Sequence, residues 1–508
     1  VSVPAADLVT VGFDGRTVDE APLAALAALA PGAIVLFARN VGTPEELRAL
    51  VAALRATQPL PPLIAIDQEG GRVARIASGV AAVPPAMAIG AAGDVAACER
   101  LGVRVGRDLA RLGISIDYAP VADLASDPDN TVIGTRSYGA DPQRVARFAA
   151  AFARGLGRGG VAATLKHFPG HGATAVDSHL ALPILTCDEP TLRARDLAPF
   201  RAVLVEVAVP LVMTAHVVVA ALDPTRPATL SPRMLTLLRE ELGFDGVICT
   251  DCLQMDAIAR DPGTVAGAVA AIAAGADLVT ISHALPLAAD AAAAIAAAVA
   301  DGRIARARFE DACARVRALR ERYAALEPFA GALDDDEPLV LARAAVTVVR
   351  GDVRLRLDRP VTVISFEGAA FDGAGGVRAA LPSLSAALRA RRLRSEMMRV
   401  ALDPDPDDIT LLLAHLPALG DRNFVIVVRR MRAHEAQRDA LERVLAIVPD
   451  AIVVVASEPW DAFALPAARA IVCTYGDDAL MFDACADVLC ARAPGTGRLP
   501  VDADVAVR

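Results

Sequence analysis

The stretch AATLKHFPGHGATAVDSH (162–179) passes from a short apolar run into a loop that neither a helix nor a strand would carry. AATLK (162–166) has the length and apolar content of a buried strand. Between Lys166 and His179 come two glycines, a proline, three histidines and an aspartate, which is the composition of a shaped loop. A buried strand that ends on a polar loop is one unit of a parallel βα arrangement, and the same unit recurs on both sides.

Four strand candidates precede it, LVTVG (8–12), AIVLF (33–37), LIAID (63–67) and ISIDY (114–118), and three follow, PLVMT (210–214), GVICT (246–250) and DLVTI (277–281). Segments of helical period lie between them. The clearest helix start is TPEE at Thr43–Glu46, with a capping Thr, Pro at the first helical position and Glu at the third. Eight such units predict a (β/α)8 TIM-type barrel over residues 1–330, with room before the fourth strand for an extra loop and helix. LEPFAGALDDDEPLV (326–340) is acidic and proline-containing and breaks the pattern, so residues 331–345 are expected to link two domains. Residues 346–508 then offer VTVIS (361–365), ITLLLA (409–414), FVIVV (424–428), AIVVVA (451–456) and AIVCTY (470–475) as strands of a doubly wound α/β sandwich domain. No glycine-rich GxGxxG turn follows the first of these, which argues against a dinucleotide. There is no short internal repeat.

With 508 residues, 54% hydrophobic and 22% charged, the chain is a globular polypeptide of two to three domains. Its net charge of -10 excludes a basic nucleic-acid surface as the expected partner. The alanine-rich run ADAAAAIAAAVA (289–300) reads as helix, and neither a membrane span nor a membrane partner is expected. Eight scattered cysteines fit no disulfide framework and point to a reducing, cytoplasmic setting. VSVPAADLVTVGF at the start lacks the charge and apolar core of a signal peptide, although a chain beginning at Val1 leaves prior trimming open. Nothing in the sequence speaks to oligomeric state.

Polar residues collect where barrel strands end. Asp67 follows the third strand, Asp117 and Asp123 surround the fourth, Lys166 and His167 end the fifth, and His216, Asp251 and His283 follow the sixth, seventh and eighth. That is the face on which barrels of this kind carry catalytic groups. Asp177 and His179, two apart, could form an acid/base dyad in which the carboxylate fixes the imidazole tautomer; an Asx-turn beside an incidental histidine is the alternative. Asp251, directly after a buried strand, could be a nucleophile or a ligand anchor. Together they offer the two roles that double displacement at a glycosidic carbon requires, with histidine where a second carboxylate is usual. Lys166, Arg136 and Asp67 would give charged hydrogen bonds to sugar hydroxyls. Cys249 and Cys252 have CxxC spacing but no second pair, so no metal site and no cofactor is expected. Cys485 and Cys490 are read as packing residues. Aromatic residues are only 4% of the chain and its one Trp is Trp460, which favours a small pocket for a terminal sugar over a long polysaccharide cleft.

IDQEGGRVAR (66–75), IGTRSYG (133–139), KHFPGHGATAVDSH (166–179), VMTAH (212–216) and TDCLQM (250–255) resemble, in order, the motifs of glycoside hydrolase family 3, and most closely its two-domain β-N-acetylhexosaminidase branch. The resemblance implies a retaining, exo-acting β-N-acetylhexosaminidase that removes terminal N-acetylglucosamine from glycoconjugates or cell-wall fragments. It implies Asp251 as nucleophile, His179 as acid/base and Asp177 as its partner. It also implies that Asp67, Arg136, Lys166 and His167 hold the non-reducing sugar, with His216 and Met255 of the later motifs among the substrate-binding residues. The closing GTGRLPV (495–501) resembles the second domain of such proteins more weakly. Two positions depart from the pattern. Cys252 stands where a second acid commonly follows the nucleophile, and Ala173 stands where an Asp is usual. Phosphorolysis on the same scaffold remains an alternative, as do a metal-dependent amidohydrolase, whose H-x-H pair is missing from GFDG (12–15), and a non-catalytic sugar-binding protein.

Overall fold

Each of the eight apolar runs before residue 290 becomes a parallel strand of one closed barrel, and most strand residues are fully buried. In the computed structural model, which describes residues 4–17, 20–174, 182–368, 371–372, 376–377 and 382–502, the strands are β1 (Val9–Val11), β2 (Ala33–Leu36), β3 (Leu63–Ile66), β4 (Ile116–Asp117), β5 (Ala162–Phe168), β6 (Leu211–Thr214), β7 (Val247–Cys252) and β8 (Leu278–Ile281). They pair in chain order, and the register Val9↔Val279 to Val11↔Ile281 between β1 and β8 closes the ring. Helices cover the outside of the ring while side chains fill its inside, so the strands carry apolar residues on both faces instead of alternating.

The helix signals act as read. Thr43 accepts from the Glu46 amide at 3.2 Å, the Glu46 carboxylate accepts from the Thr43 amide at 2.8 Å, and the helix Pro44–Arg55 follows. The alanine-rich run falls in the helix Leu285–Ala300. Among the described residues no helix is long and apolar enough to cross a membrane.

After the barrel, residues Glu337–Ala345 form a helix, tied to the barrel by the ion pair between Glu337 and Arg100. One six-stranded sheet follows among the described residues: β9 (Thr347–Arg350), β10 (Val361–Glu367), β11 (Ser395–Ala401), β12 (Asn423–Val428), β13 (Ile452–Val455) and β14 (Ala470–Cys473). Their order in the sheet is β9-β14-β13-β12-β10-β11, with β9 antiparallel and the other five parallel. The parallel strands therefore run second, first, third, fourth, fifth, a doubly wound topology.

Here the strand expectation for ITLLLA (409–414) is corrected, because the segment lies in the helix Pro406–His415. Asp405 caps that helix by accepting from the Asp407 amide at 3.0 Å, and Pro406 sits in its first turn. Only Ile409 and Leu412 are buried while Leu411 is exposed, so the apolar run has helical rather than strand spacing. Two strands went unread. β11 (SEMMRVA) is a half-exposed edge strand with Glu396 and Arg399 in it, and β9 is a four-residue antiparallel edge.

Two hydrophobic clusters result, one around the barrel and one around the second sheet. The second includes Met87, Ala88, Ala91 and Ala125, which lie before the barrel's fifth strand. The added domain is thus packed onto barrel segments rather than tethered beside them.

Candidate active site

At the carboxyl ends of the barrel strands lies a cavity of about 660 Å³, lined by residues that lie in or follow the strands from β2 to β8. Its polar wall is a chain of buried ion pairs. Lys166 Nζ lies 2.8 Å from Asp67 Oδ1 and 2.6 Å from Glu69 Oε1. Arg136 grips Glu69 with two parallel bonds, Nε to Oε2 at 2.8 Å and Nη2 to Oε1 at 2.7 Å. The same Nη2 lies 3.3 Å from His167 Nε2, and His167 Nδ1 lies 2.6 Å from Asp123 Oδ2. Since a guanidinium can only donate, His167 accepts at Nε2 and carries its proton at Nδ1, donating to Asp123. Asp123 also accepts the His171 amide at 2.7 Å, so one buried carboxylate orients two consecutive turns of the loop after β5.

The charges hold one another in place. Burial pushes the Glu69 carboxyl up, but Arg136 and Lys166 outweigh it and hold the group well below the usual carboxylate range. Burial likewise opposes Asp67, and Lys166 and Arg75 bring it down. For Lys166, burial would lower the ammonium pKa, yet Asp67 and Glu69 raise it. Charged donors fixed in this way suit a ligand dense in hydroxyl groups, because they need no reorganisation when it arrives.

Local sequence explains how Glu69 and Arg75 reach this wall. Gln68–Gly70 and Val73–Ala74 form a short antiparallel hairpin that turns through Gly70 and Gly71, both at positive φ. The Gln68 side chain accepts from the amides of Arg75 and Ile76 and donates to the Ile76 carbonyl, which fixes the return strand. Arg75 Nη2 comes back to within 3.5 Å of Asp67 Oδ2.

Asp251 is at the end of β7, across the cavity, where Oδ1 accepts from the Cys252 amide at 2.7 Å. Met255, Met213 and Thr280 line the cavity with it. The Cys252 thiol lies 2.8 Å from Ser282 Oγ, which in turn is 2.9 Å from His283 Nδ1. Burial raises the Cys252 thiol, so the residue beside Asp251 is a neutral hydrogen-bonding group where the related pattern has a second acid. His171 also faces the cavity, and burial lowers its pKa to about 4.

Of the residues expected from sequence, Asp67, Arg136, Lys166, His167, Asp251 and Met255 line one cavity. His216 does not: its ring is buried with Nδ1 2.8 Å from Thr229 Oγ1, and Nε2 is 3.0 Å from the Cys252 carbonyl. It reaches the peptide that follows Asp251 rather than the open space. Asp177 and His179 lie outside the described residues. Glu69, Arg75, Arg39 and Ser282 belong to the site and were missed. DQEGGR did signal Glu69, as a second carboxylate two positions after Asp67 in a glycine turn.

Asp117 lies behind the ionic wall, fully buried, with Oδ1 accepting from the Gln68 amide at 2.9 Å and, among the described residues, no hydrogen-bond partner for Oδ2. Burial raises its carboxyl to about 8. A carboxyl raised in the folded state holds a proton that the unfolded chain has released, so its contribution is present at acid pH and is lost as pH rises toward that value. The expected result is that Asp117→Asn gains on the wild type between pH 5 and 8 by up to about 1.4 kcal/mol per pH unit. Urea unfolding at several pH values measures this, and a constant difference would refute it.

Comparison with known proteins bears on this geometry directly. The model of the glycosyl hydrolase family 3 N terminal domain matches residues 5–319. The chain belongs to glycosyl hydrolase family 3. It shares 42% identity over 258 residues with a beta-hexosaminidase of Methylococcus capsulatus, covering 50% of this chain and 76% of that protein. Its fold matches a glycoside hydrolase family 3 beta-N-acetylglucosaminidase from Paenibacillus sp. str. FPU-7 with a TM-score of 0.92 and 34% identity, over 99% of each chain. A beta-N-acetylhexosaminidase from Beutenbergia cavernae is covered over 98% of its length by 63% of this family 3 chain, with a TM-score of 0.56 and 31% identity. The chain that carries this barrel face is therefore a glycoside hydrolase.

Proposed function

We propose that this family 3 enzyme removes terminal β-linked N-acetylglucosamine by double displacement, with Asp251 as nucleophile and His179, partnered by Asp177, as acid/base. The observation that carries the reading is that Asp251 lines one cavity together with Lys166, Asp67, Arg136 and His167, whose ion pairs run through Glu69. The wall holds the hydroxyls of the terminal sugar and leaves its C1 toward β7. Asp251 attacks C1 from one face while His179 protonates the departing oxygen. Water, deprotonated by the same histidine, then attacks the glycosyl ester and releases the sugar with its β configuration retained. In this reading residues 1–330 are the catalytic unit, 331–345 the connection and 346–508 the added domain. Its substrates are glycoconjugates or cell-wall fragments that end in N-acetylglucosamine, and its setting is the cytoplasm, where the eight free thiols stay reduced.

A panel of aryl β-glycosides, the N-acetylglucosaminide, glucoside and xyloside, assayed with and without phosphate, tests the reaction. The N-acetylglucosaminide is expected to be cleaved preferentially, with the β anomer of the free sugar seen first by proton NMR. Preferred cleavage of the glucoside would overturn the substrate assignment. A sugar 1-phosphate as the main product would replace hydrolysis with phosphorolysis.

A further inference from the structure

The second domain touches the barrel along the helix Ala86–Ala92 and along residues 125–140, which lie between β4 and the helix Pro142–Gly159. Ala125 lies in the second domain's hydrophobic cluster. Asp129 Oδ1 is 3.2 Å from Arg432 Nε. Glu458 lies so close to Gly134 that a Cβ there would meet its carboxylate, and the Ala140 amide donates to the Pro500 carbonyl at 3.0 Å.

That segment also reaches the loop after β5. Asn130, next to Asp129, is buried. Its Nδ2 lies 2.8, 3.2 and 3.0 Å from the carbonyls of His171, Gly172 and Thr174. Its Oδ1 accepts from the amides of Val132 and Ile133 at 3.0 and 2.9 Å. Gly172 is pressed against the Leu124 carbonyl, where a Cβ could not fit. The stem of the loop that leads toward Asp177 and His179 is thus stapled to a barrel segment that the second domain also holds.

We propose that Arg432, Asp129 and Asn130 form a brace through which the second domain positions the acid/base loop. These are positioning residues, and the inference rests on the assignment of His179 as proton donor. A misplaced acid harms only substrates whose leaving group needs a proton, which separates a positioning role from a general loss of structure. The added domain would then serve proton delivery on the barrel rather than a reaction of its own.

The test compares kcat/KM for 2,4-dinitrophenyl and 4-methoxyphenyl β-N-acetylglucosaminides. Asn130→Ala is expected to lower the 4-methoxyphenyl value by about tenfold, a fraction of the 10²–10⁴ that a placed acid supplies, and to leave the dinitrophenyl value within about threefold. Arg432→Ala, at an exposed position that should not disturb folding, is expected to act in the same direction by about threefold, with Arg432→Lys restoring most of it. Reversing the pair, Asp129→Arg with Arg432→Asp, should recover more than either single change. Equal losses on both substrates would overturn the brace, as would no loss in either Asn130→Ala or Arg432→Ala. Wild-type inactivity toward both glycosides would instead sink the assigned reaction, and the brace with it.

Discussion

Asp251→Asn is expected to reduce turnover of an aryl β-N-acetylglucosaminide by about 10⁴-fold, the scale on which enzymes lose rate when a covalent nucleophile is removed. The substitution is nearly isosteric, and its amide oxygen can still accept from the Cys252 amide as Asp251 Oδ1 does at 2.7 Å. What it removes is the charge that forms the glycosyl ester, so folding and sugar binding should survive. Asp251→Gly should go further by opening space at the carboxylate position. Added azide would then attack C1 from the vacated side and give the α-glycosyl azide, identifiable by NMR. A variant that kept more than about a tenth of wild-type turnover would rule Asp251 out as nucleophile. Formation of the β-azide would place it among the proton-transfer groups instead. The neutral Cys252 helps here, because the position after Asp251 in the chain offers no carboxylate to substitute for it.

The barrel was legible because its strands are buried on both faces, so that each read as an uninterrupted apolar run ending in a polar residue. AATLK and GVICT took that form, DLVTI ran directly into Ser282, and β5, β7 and β8 lie where they were read. The same rule failed in the second domain. ITLLLA is as apolar as a central strand, but its cap at Asp405 and the helical spacing of its buried residues decide otherwise. β11 was hidden for the opposite reason, since an edge strand exposes one side and SEMMRVA carries charge there. In the site, residues adjoining a strand end could be read directly, as with Asp67, Lys166, His167 and Asp251. Glu69 and Arg75 could not, because a hairpin two residues beyond β3 carries them back to the cavity. His216 adjoins a strand end too, and its buried ring lies within hydrogen-bond distance of Thr229 and the Cys252 carbonyl, a placement that only packing shows.

Glu69→Gln is expected to be the most disruptive single change in the ionic wall proposed to hold the sugar. Glu69 is buried and is the only carboxylate bonded to both Lys166 and Arg136 among the described residues. Replacing it leaves two buried cations sharing Asp67 and His167, and breaking one side of a buried ion pair typically costs about 3–5 kcal/mol. The amide can keep one bond to Arg136 through its oxygen, but its NH₂ group faces a donor on the other side. The variant should therefore show a lower urea midpoint together with a KM raised by about 10²-fold or more, since the misplaced guanidinium and ammonium no longer meet the sugar hydroxyls. The pH dependence separates this cause from a packing defect. Glu69 is depressed in the folded state, so its contribution is fully present above the ordinary glutamate range and is lost as pH falls through the depressed value. The stability gap between wild type and variant should stay constant from pH 8 to 5 and narrow only at more acid pH. A gap that stayed level down to acid unfolding would show that size and shape, rather than charge, make Glu69 necessary.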